Sequence, residues 1–272
     1  MLIGIDVGNT NSTVGIFADA PGELTPLQAW RFTTKQYMTA DEMAAPIIAH
    51  LMHAGLSAAH ISAGVVACVV PSLERSLRLM LEGVFGLRDP LFVDSATDCG
   101  LKYAYPNPSE IGADRIVNAA AGIALYGAPL LIIDFGTATT FCCISRAGEY
   151  LGGQILPGVE VSLQALTVRA EKLSSVSIVR PRQVIGKSTA DGMAAGIYYQ
   201  TIGALELITQ RIREEMGESN LKIIATGGLA GLFSADWPGI GVIDQDMTLK
   251  GLKLIHERYI AKQAGGSLWM NP

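Results

Sequence analysis

Two short turns in this chain carry the residue types that bind phosphate groups and cations. Each follows an apolar run and reads aspartate, an apolar residue, glycine, starting at Asp6 and at Asp134. Glycine lets a ligand approach the backbone closely, and successive backbone N–H groups in such a turn form an anion-binding concavity. The aspartate can hold a cation beside that anion. Each turn is therefore a candidate phosphate site, although a single Asp-x-Gly sequence also occurs in ordinary hairpins.

The two turns belong to an internal repeat. Residues 2–10 align with residues 130–138 at a constant offset of 128 (134 − 6 = 128), and each copy continues into a second apolar run. A repeat of this kind predicts two similar units. We place them at residues 1–125 and 126–272, and we expect the two turns to face each other across a cleft that clasps a polyphosphate and its cation.

A third turn is compatible with the same chemistry. Thr226-Gly227-Gly228 follows an apolar run and is predicted to lead into a helix N-terminus, where the helix dipole favours anions. A glycine that is needed only for packing explains this turn equally well.

A carboxylate and a guanidinium stand side by side at the start of another predicted helix. Asp114 and Arg115 follow Gly112 and Ala113, after a loop rich in tyrosine, proline and asparagine. A carboxylate there could accept the proton of a substrate alcohol, and the arginine could bind a substrate carboxylate through two hydrogen bonds. The alternatives are compensation of the helix dipole by Asp114 and simple solvation of Arg115.

Composition and charge exclude several classes of protein. Of the 272 residues, 49% are hydrophobic and 17% charged, which excludes a disordered chain. The net charge of −5, without a basic stripe, argues against nucleic-acid binding. Four cysteines without a CxxC pair indicate neither a disulfide scaffold nor a zinc site.

The same features predict a cytoplasmic protein that does not cross a membrane. The cysteine pattern suits a reducing compartment, and no targeting segment is visible at the start of the chain. Residues 116–133 are apolar enough to resemble a membrane span, but Asn118 interrupts them and Pro129 breaks any helix. A buried helix, a turn and a buried strand explain this stretch better.

Strand-length apolar runs alternate with helical patterns, which predicts an α/β protein. The predicted strands cover residues 2–7, 11–17, 28–33, 64–70, 91–93, 130–134, 138–145, 150–155 and 221–225. The predicted helices cover residues 40–53, 72–85, 110–125, 159–170, 188–216 and 248–262. A capping box at Thr39 and Glu42 opens the first helix, Ser109 is predicted to cap the third, and the tail over 265–272 is predicted to fray.

Competing catalytic motifs fail. Gly186-Lys187-Ser188 resembles the end of a P-loop, but Pro181 stands where that motif needs glycine. No G-x-G-x-x-G follows the first strand, and no H-E-x-x-H is present. We interpret the four histidines as structural.

Four blocks of sequence together resemble the type III pantothenate kinase family. They are Asp6-Val7-Gly8-Asn9-Thr10, Gly112-Ala113-Asp114-Arg115, Asp134-Phe135-Gly136-Thr137-Ala138-Thr139 and Gly152-Gly153-Gln154-Ile155-Leu156-Pro157-Gly158. The resemblance covers about residues 2–259. It implies two ribonuclease-H-like lobes of the actin-like ATPase superfamily, with mixed sheets and a nucleotide cleft, and ATP-dependent phosphorylation of pantothenate, the first step of coenzyme A synthesis.

The resemblance also implies roles for individual residues. Those expected to bind ATP are Asp6, Val7, Gly8, Asn9, Thr10, Asn11, Ser12, Thr13 and Thr137, and the third turn adds Gly227 to them. Those expected to contact pantothenate are Tyr105, Gly112, Ala113, Asp114, Arg115 and Thr189, with Asp114 as the proton acceptor. Tyr103 is an alternative to Tyr105. Asp134 is expected to hold a monovalent cation, K+ or NH4+, and ATP is expected to bind with Mg2+.

The family forms dimers, so the resemblance implies a homodimer. Three other functions stay open at this point. They are phosphorylation of a sugar or acetate by a related kinase, nucleotide binding by a catalytically silent regulatory relative, and an actin-like filament or chaperone ATPase.

Overall fold

The computed structural model describes residues 1–169 and 176–265. By their contacts these residues form two compact units. The first is Met1–Leu125 together with the chain from Asp246 onward, and the second is Tyr126–Gln245. Residue 170, at the end of the helix predicted over 159–170, and residues 266–272 of the tail predicted to fray lie outside the described residues.

The regular elements confirm the predicted α/β class. In chain order the strands are β1 (Leu2–Val7), β2 (Asn11–Phe17), β3 (Gln28–Thr33), β4 (Ala63–Cys68), β5 (Leu91–Phe92), β6 (Lys102–Tyr103), β7 (Leu130–Phe135), β8 (Ala138–Ile144), β9 (Glu149–Pro157), β10 (Lys222–Thr226) and β11 (Val242–Ile243). The helices are α1 (Ala40–His53), α2 (Pro71–Phe85), α3 (Ala113–Tyr126), α4 (Val159–Arg169), α5 (Thr189–Met216), α6 (Ala230–Phe233) and α7 (Met247–Gln263).

The first unit contains a mixed sheet in the order β3-β2-β1-β4-β5. β1 is antiparallel to β2 and parallel to β4. Successive side chains of a strand point to opposite faces of the sheet. Ile3 and Ile5 of β1 therefore join the core formed with α1 and α2, which includes Leu51 and Met80. Asp6 comes at the carboxyl end of this central strand.

Local sequence signals define the ends of α1 and α2. The predicted capping box is present: the Thr39 Oγ1 accepts from Glu42 N (3.2 Å), and the Glu42 carboxylate accepts from Thr39 N (2.8 Å). α2 begins one residue earlier than predicted, because proline suits the first helical position and Pro71 occupies it. Gly86 ends α2 with a left-handed φ of 68°.

The second unit repeats the same strand pattern. Its strands run in the order β11-β10-β7-β8-β9, with β7 antiparallel to β8 and parallel to β10. A separate core lies on this sheet, in which the Phe233 ring stacks on Phe135 (centroids 5.4 Å apart) and on Tyr198 (5.2 Å). The prediction of two mixed sheets is confirmed.

The predicted repeat is confirmed strand by strand. β1 and β7 occupy positions 2–7 and 130–135, at the predicted offset. Asp6 is opposite Thr13 in β2, and Asp134 is opposite Thr140 in β8. The second turn is one residue shorter than the first, because Val7 pairs with Ser12 whereas Phe135 pairs with Thr139.

α7 packs within the first unit, although the division predicted from sequence grouped residues 248–262 with the second. Its leucines fit against glycines of the first sheet. A Cβ at Gly4 would lie 3.6 Å from the Leu252 Cδ1, and a Cβ at Gly15 would lie 3.1 Å from the Leu249 Cδ1. This complementary surface brings the C-terminal helix back to the first unit.

The apolar stretch 116–133 comprises most of α3, a turn and the first part of β7, which agrees with the predicted helix, turn and strand. In the part of the chain that the structure describes, no helix combines the length and the apolarity that a bilayer span needs.

Candidate active site

The first candidate phosphate turn joins β1 to β2. Gly8 N donates to Asn11 O (3.1 Å), and a Cβ at Gly8 would come within 3.0 Å of the same oxygen. Thr10 O accepts a hydrogen bond from Thr34 N (2.8 Å). Asn9, Thr10 and Asn11 are exposed. The backbone thus holds the turn while its tip stays open to a ligand.

Asp114 lies in the first turn of α3, as predicted. The prediction that Ser109 caps this helix is wrong. Ser109 belongs to a 3-10 turn over Pro108–Glu110, and its hydroxyl donates to the Asn107 Oδ1 (2.7 Å), a nearer acceptor in its own loop. Gly112 O accepts from Ile116 N (3.1 Å) and so starts the helical hydrogen bonding.

The Asp114 carboxylate sits tightly against the turn that precedes it. A Cβ at Gly112 would lie 2.6 Å from the Asp114 Oδ1, so a larger residue there would displace this carboxylate. Arg115 N donates to the same oxygen (2.7 Å). Burial raises the pKa of Asp114, and the hydrogen bond and positive charge of Arg115 partly oppose that shift. A half-buried carboxylate with a raised pKa is suited to take up a proton.

Val69 connects the first phosphate turn to the Asp114 motif. Its N–H donates to Val7 O (3.0 Å) at the end of β1, and its Cγ1 lies 3.4 Å from the Cβ position of Gly112. The two motifs therefore meet at the carboxyl edge of the first sheet. Ligands of α/β proteins bind at this edge.

A cavity of about 370 Å³ lies at the same edge. The ends of β4 and β5 and the approach to α3 line it, and the lining includes Val69, Asp94, Ser95, Ser109, Gly112 and Ala113. Sequence reasoning found Gly112 and Ala113 but missed Val69, Asp94 and Ser95. The signal was available, because the predicted strands 64–70 and 91–93 are parallel neighbours whose carboxyl ends fall together.

Two tyrosines, Tyr103 and Tyr105, lie in the chain between the cavity-lining residues Ser95 and Ser109. Burial raises the pKa of Tyr103, and its interactions with Cys99 and with the cavity-lining Asp94 act in the same direction. Tyr105, the residue implied to contact substrate, is half-buried two positions further on.

The second candidate phosphate turn joins β7 to β8, and the end of β9 supports it. Gly136 N donates to Ala138 O (3.2 Å), and Gly158 N donates to Thr137 O (3.0 Å). A Cβ at Gly158 would collide with Thr137 O, and one at Gly153 would collide with Phe141 O. The resemblance implies no specific role for the block 152–158. Its glycines let β9 pass β8 and contact the turn.

The third turn lies directly beside the second. Parallel pairing sets Thr226 opposite Asp134. Gly227 has a left-handed φ of 87°, and a Cβ there would lie 2.6 Å from Phe135 O and 2.7 Å from the Asp134 Oδ1. The following helix, α6, has four residues, so it does not provide the helix-dipole site that we expected.

A second oxygen lies close to the Asp134 carboxylate, which is implied to hold a cation. The Asp134 Oδ1 and Phe135 O both lie within 2.7 Å of the point that a Cβ at Gly227 would occupy. Carboxylate and carbonyl oxygens are the ligands that hard cations prefer, so this donor set fits such an ion. Within residues 1–169 and 176–265, no cluster of three or more histidine, cysteine, aspartate or glutamate side chains could hold a metal.

Thr189 is the first residue of α5. Ser188 caps this helix, with its Oγ accepting from Asp191 N (3.1 Å). Gly186 packs on the backbone of Gly192, where a Cβ would collide. The Gly-Lys-Ser sequence is therefore a helix start, which agrees with its exclusion as a P-loop.

Two solved structures share the fold of this chain. One, from Campylobacter jejuni, is described as a conserved Baf family transcriptional activator. It has a TM-score of 0.59 at 17% identity, over 95% of this chain and 98% of that one. Another, from Sinorhizobium meliloti, is described as a 2-dehydro-3-deoxygalactonokinase. It has a TM-score of 0.53 at 12% identity, over 96% and 99%. These likenesses show the fold alone: the chain shares the α/β fold of both solved structures.

The family model of type III pantothenate kinase matches residues 2–211. The chain therefore belongs to the type III pantothenate kinase family.

Proposed function

We propose that this protein transfers a phosphoryl group from ATP to pantothenate, giving 4'-phosphopantothenate in the first step of coenzyme A synthesis. Membership of the family supports this activity. The observation that carries it is the position of Asp114. It stands in the first turn of α3, directly after Gly112 and Ala113, which line a cavity of about 370 Å³ at the edge where the turn after β1 lies.

In this proposal Asp114 acts as the proton acceptor. Phosphoryl transfer depends mainly on positioning and charge stabilisation. Asp114 is too weak a base to deprotonate a free alcohol in advance, since its reference pKa is about 3.9. It would orient the substrate hydroxyl and accept its proton late, as the bond to phosphorus forms. Arg115, the next residue, would bind the pantothenate carboxylate.

The remaining roles follow the resemblance. The turn over 6–13 would bind the phosphates of ATP, with Thr137 and Gly227. Tyr105, Gly112, Ala113 and Thr189 would contact pantothenate. Asp134 would hold the monovalent cation. That cation and Mg2+, when bound, supply positive charge that neutralises the phosphates.

We also propose a cytoplasmic homodimer. Support for a dimer comes from large apolar side chains that the second unit exposes on β9, on α4 and before α5. Ile155, Leu166, Val184 and Ile185 are 64%, 44%, 65% and 73% exposed. An apolar patch formed by such side chains would favour association with a partner. Light scattering after gel filtration would test the dimer, and a monomer mass at micromolar concentration would contradict it.

A coupled assay of ADP formation tests the function. The purified chain is given ATP and Mg2+ with pantothenate, acetate or a sugar, each with and without K+ or NH4+. Turnover with pantothenate alone among the acceptors, dependent on the monovalent cation, supports the proposal. Turnover with acetate or a sugar would support a related kinase instead.

The same assay separates the non-enzymatic alternatives. Nucleotide binding without turnover would indicate a regulatory relative, the kind of role that the description of the Campylobacter protein suggests for that protein. For this chain, a net charge of −5 argues against binding DNA.

A further inference from the structure

Asn118 is a buried polar residue on an otherwise apolar part of α3. It is 2% exposed and lies one helical turn after Asp114. Its Oδ1 accepts a hydrogen bond from the Thr248 Oγ1 (2.8 Å), in the first turn of α7. Residues four apart lie on the same side of a helix. The side of α3 that carries Asp114 is therefore bonded to α7 one turn further along.

The two helices also approach very closely at this crossing. A Cβ at Gly251 of α7 would lie 2.6 Å from Val117 O and 3.1 Å from the Ala121 Cβ. Close contact fixes the separation of the helices, but apolar contacts allow sliding and rotation. A buried hydrogen bond between side chains is directional, so it selects one register.

α7 also contacts the strands that lead into the first phosphate turn. On the sheet, Leu252 packs against Gly4 of β1 and Leu249 packs against Gly15 of β2. One helix therefore touches both the strands that end in the turn over 8–11 and the helix whose first turn holds Asp114. The packing of α7 sets how far these two elements lie from each other.

We propose that Asn118 and Thr248 are positioning residues for phosphoryl transfer. Their hydrogen bond fixes the register of α3 on α7 and so places the Asp114 carboxylate relative to the turn after β1. The proposal rests on the proposed function, in which Asp114 accepts the proton. A displacement of about 1 Å at a reacting group can cost about 100-fold in rate, so a small change of register is measurable.

The first test separates position from stability. Thr248→Val removes the donor at nearly constant volume, and we expect kcat to fall about tenfold while the KM for ATP changes less than about twofold. Thr248→Ser keeps the hydroxyl and should restore kcat. Thr201→Val is the matched control, because the Thr201 hydroxyl bonds within its own helix α5, to Ile197 O (2.9 Å), and kcat should stay at the wild-type value.

The double variant Asn118→Leu/Thr248→Val makes the test decisive. Replacing both partners of a buried hydrogen bond with apolar groups restores most of the lost stability. We expect the melting temperature to recover towards the wild-type value while kcat stays low. Recovery of kcat together with the melting temperature would show a purely structural role and overturn the proposal, as would wild-type kcat in Thr248→Val.

A cycle with Asp114→Asn distinguishes this proposal from the proposed function. If Thr248 acts through Asp114, Thr248→Val should lower kcat little further in the Asp114→Asn background. A full additional tenfold loss there would overturn the positioning role while leaving Asp114 as the base. Wild-type kcat in Asp114→Asn alone would instead refute the proposed function.

Discussion

The turn after β1 and the turn after β7 share one design with different surroundings. In each, an aspartate ends a central strand and pairs with a threonine of the returning strand. The first turn is one residue longer. It lies beside Val69, which contacts Gly112 just before the helix whose first turn holds Asp114. The second lies against Gly158 and Gly227, and the block 152–158 supports it.

The neighbouring parallel strand shows the difference most clearly. In the first unit, Val7 pairs with Cys68 of β4. In the second unit the matching position, one residue after Thr226, is Gly227. Beside the first turn this position carries the Cys68 side chain. Beside the second turn, the Asp134 Oδ1 and Phe135 O occupy the space that a side chain at position 227 would need. The two sheets thus share one strand pattern but differ at their carboxyl edges. The first edge lies near the Asp114 carboxylate, and at the second the Asp134 Oδ1 and Phe135 O pack closely against Gly227.

The strongest way to break this comparison is to add a methyl group at Gly227. Gly227→Ala forces a left-handed φ and clashes with two oxygens, so we expect a loss of roughly 3 kcal/mol of stability or more. Cys68→Ala, at the matching position of the first unit, should cost about 1 kcal/mol. Chemical denaturation measures both. Equal losses would show that the two positions are equivalent after all.

A second test asks whether the glycine in the turn after β7 serves the ligand. A Cβ at Gly136 would lie 3.5 Å from Ala138 O, an ordinary contact. Gly136→Ala should therefore keep the melting temperature but raise the KM for ATP about tenfold, because the methyl group occupies the ligand's approach. Gly83→Ala is the control, since nothing lies within 4 Å of its Cβ position. An unchanged KM for ATP would remove this turn from the ATP site.

A third test concerns Arg115, the residue that follows Asp114. Arg115→Ala should raise the KM for pantothenate about tenfold or more, because a charge-assisted pair with the substrate carboxylate is lost. Arg115→Lys should recover part of that loss. Steady-state kinetics with each substrate varied separately give the answer. A higher KM for ATP with an unchanged KM for pantothenate would place Arg115 on the other ligand.

The smallest expected effect concerns the loop that borders the first unit's cavity. Arg258 and Lys262 of α7 hold the Asp98 carboxylate (2.8 and 3.0 Å) and lower its pKa to about 2. Asp98→Asn should cost at most about 1 kcal/mol at neutral pH, since the pair is partly exposed.

The sign of this effect fixes its pH dependence. The lowered pKa stabilises the fold above the ordinary value of 3.8, and that contribution fades as the pH falls towards 2. Urea unfolding of both proteins across this range should show converging stabilities. A constant difference down to pH 2 would assign the loss to packing. The KM for ATP should not change.

Much of this fold could be predicted because local and repeated signals agree. The offset between the two Asp-x-Gly turns predicts both hairpins, and the capping box at Thr39 predicts the start of α1. These features depend on residues close in sequence.

What could not be predicted depends on residues far apart in the chain. The packing of α7 on Gly4 and Gly15, the approach of Gly227 to Asp134, and the bond between Asn118 and Thr248 join segments separated by 90 residues or more in each case. A lone glycine or asparagine carries no sign of such a partner. The prediction that Ser109 caps α3 was wrong for the opposite reason. Its hydroxyl bonds to a residue close in sequence, Asn107, instead of capping the helix.

The central claim is that the Asp114 carboxylate accepts the proton of the pantothenate hydroxyl. The most direct test is the pantothenate-dependent rate of ADP formation at saturating ATP for wild type and Asp114→Asn, with ATP binding to both measured by calorimetry. We predict equal ATP affinity, a kcat lower by about 100-fold or more in the variant, and a wild-type kcat that falls as the pH drops through the raised pKa of Asp114. A variant that binds ATP and phosphorylates pantothenate at the wild-type rate would contradict the account.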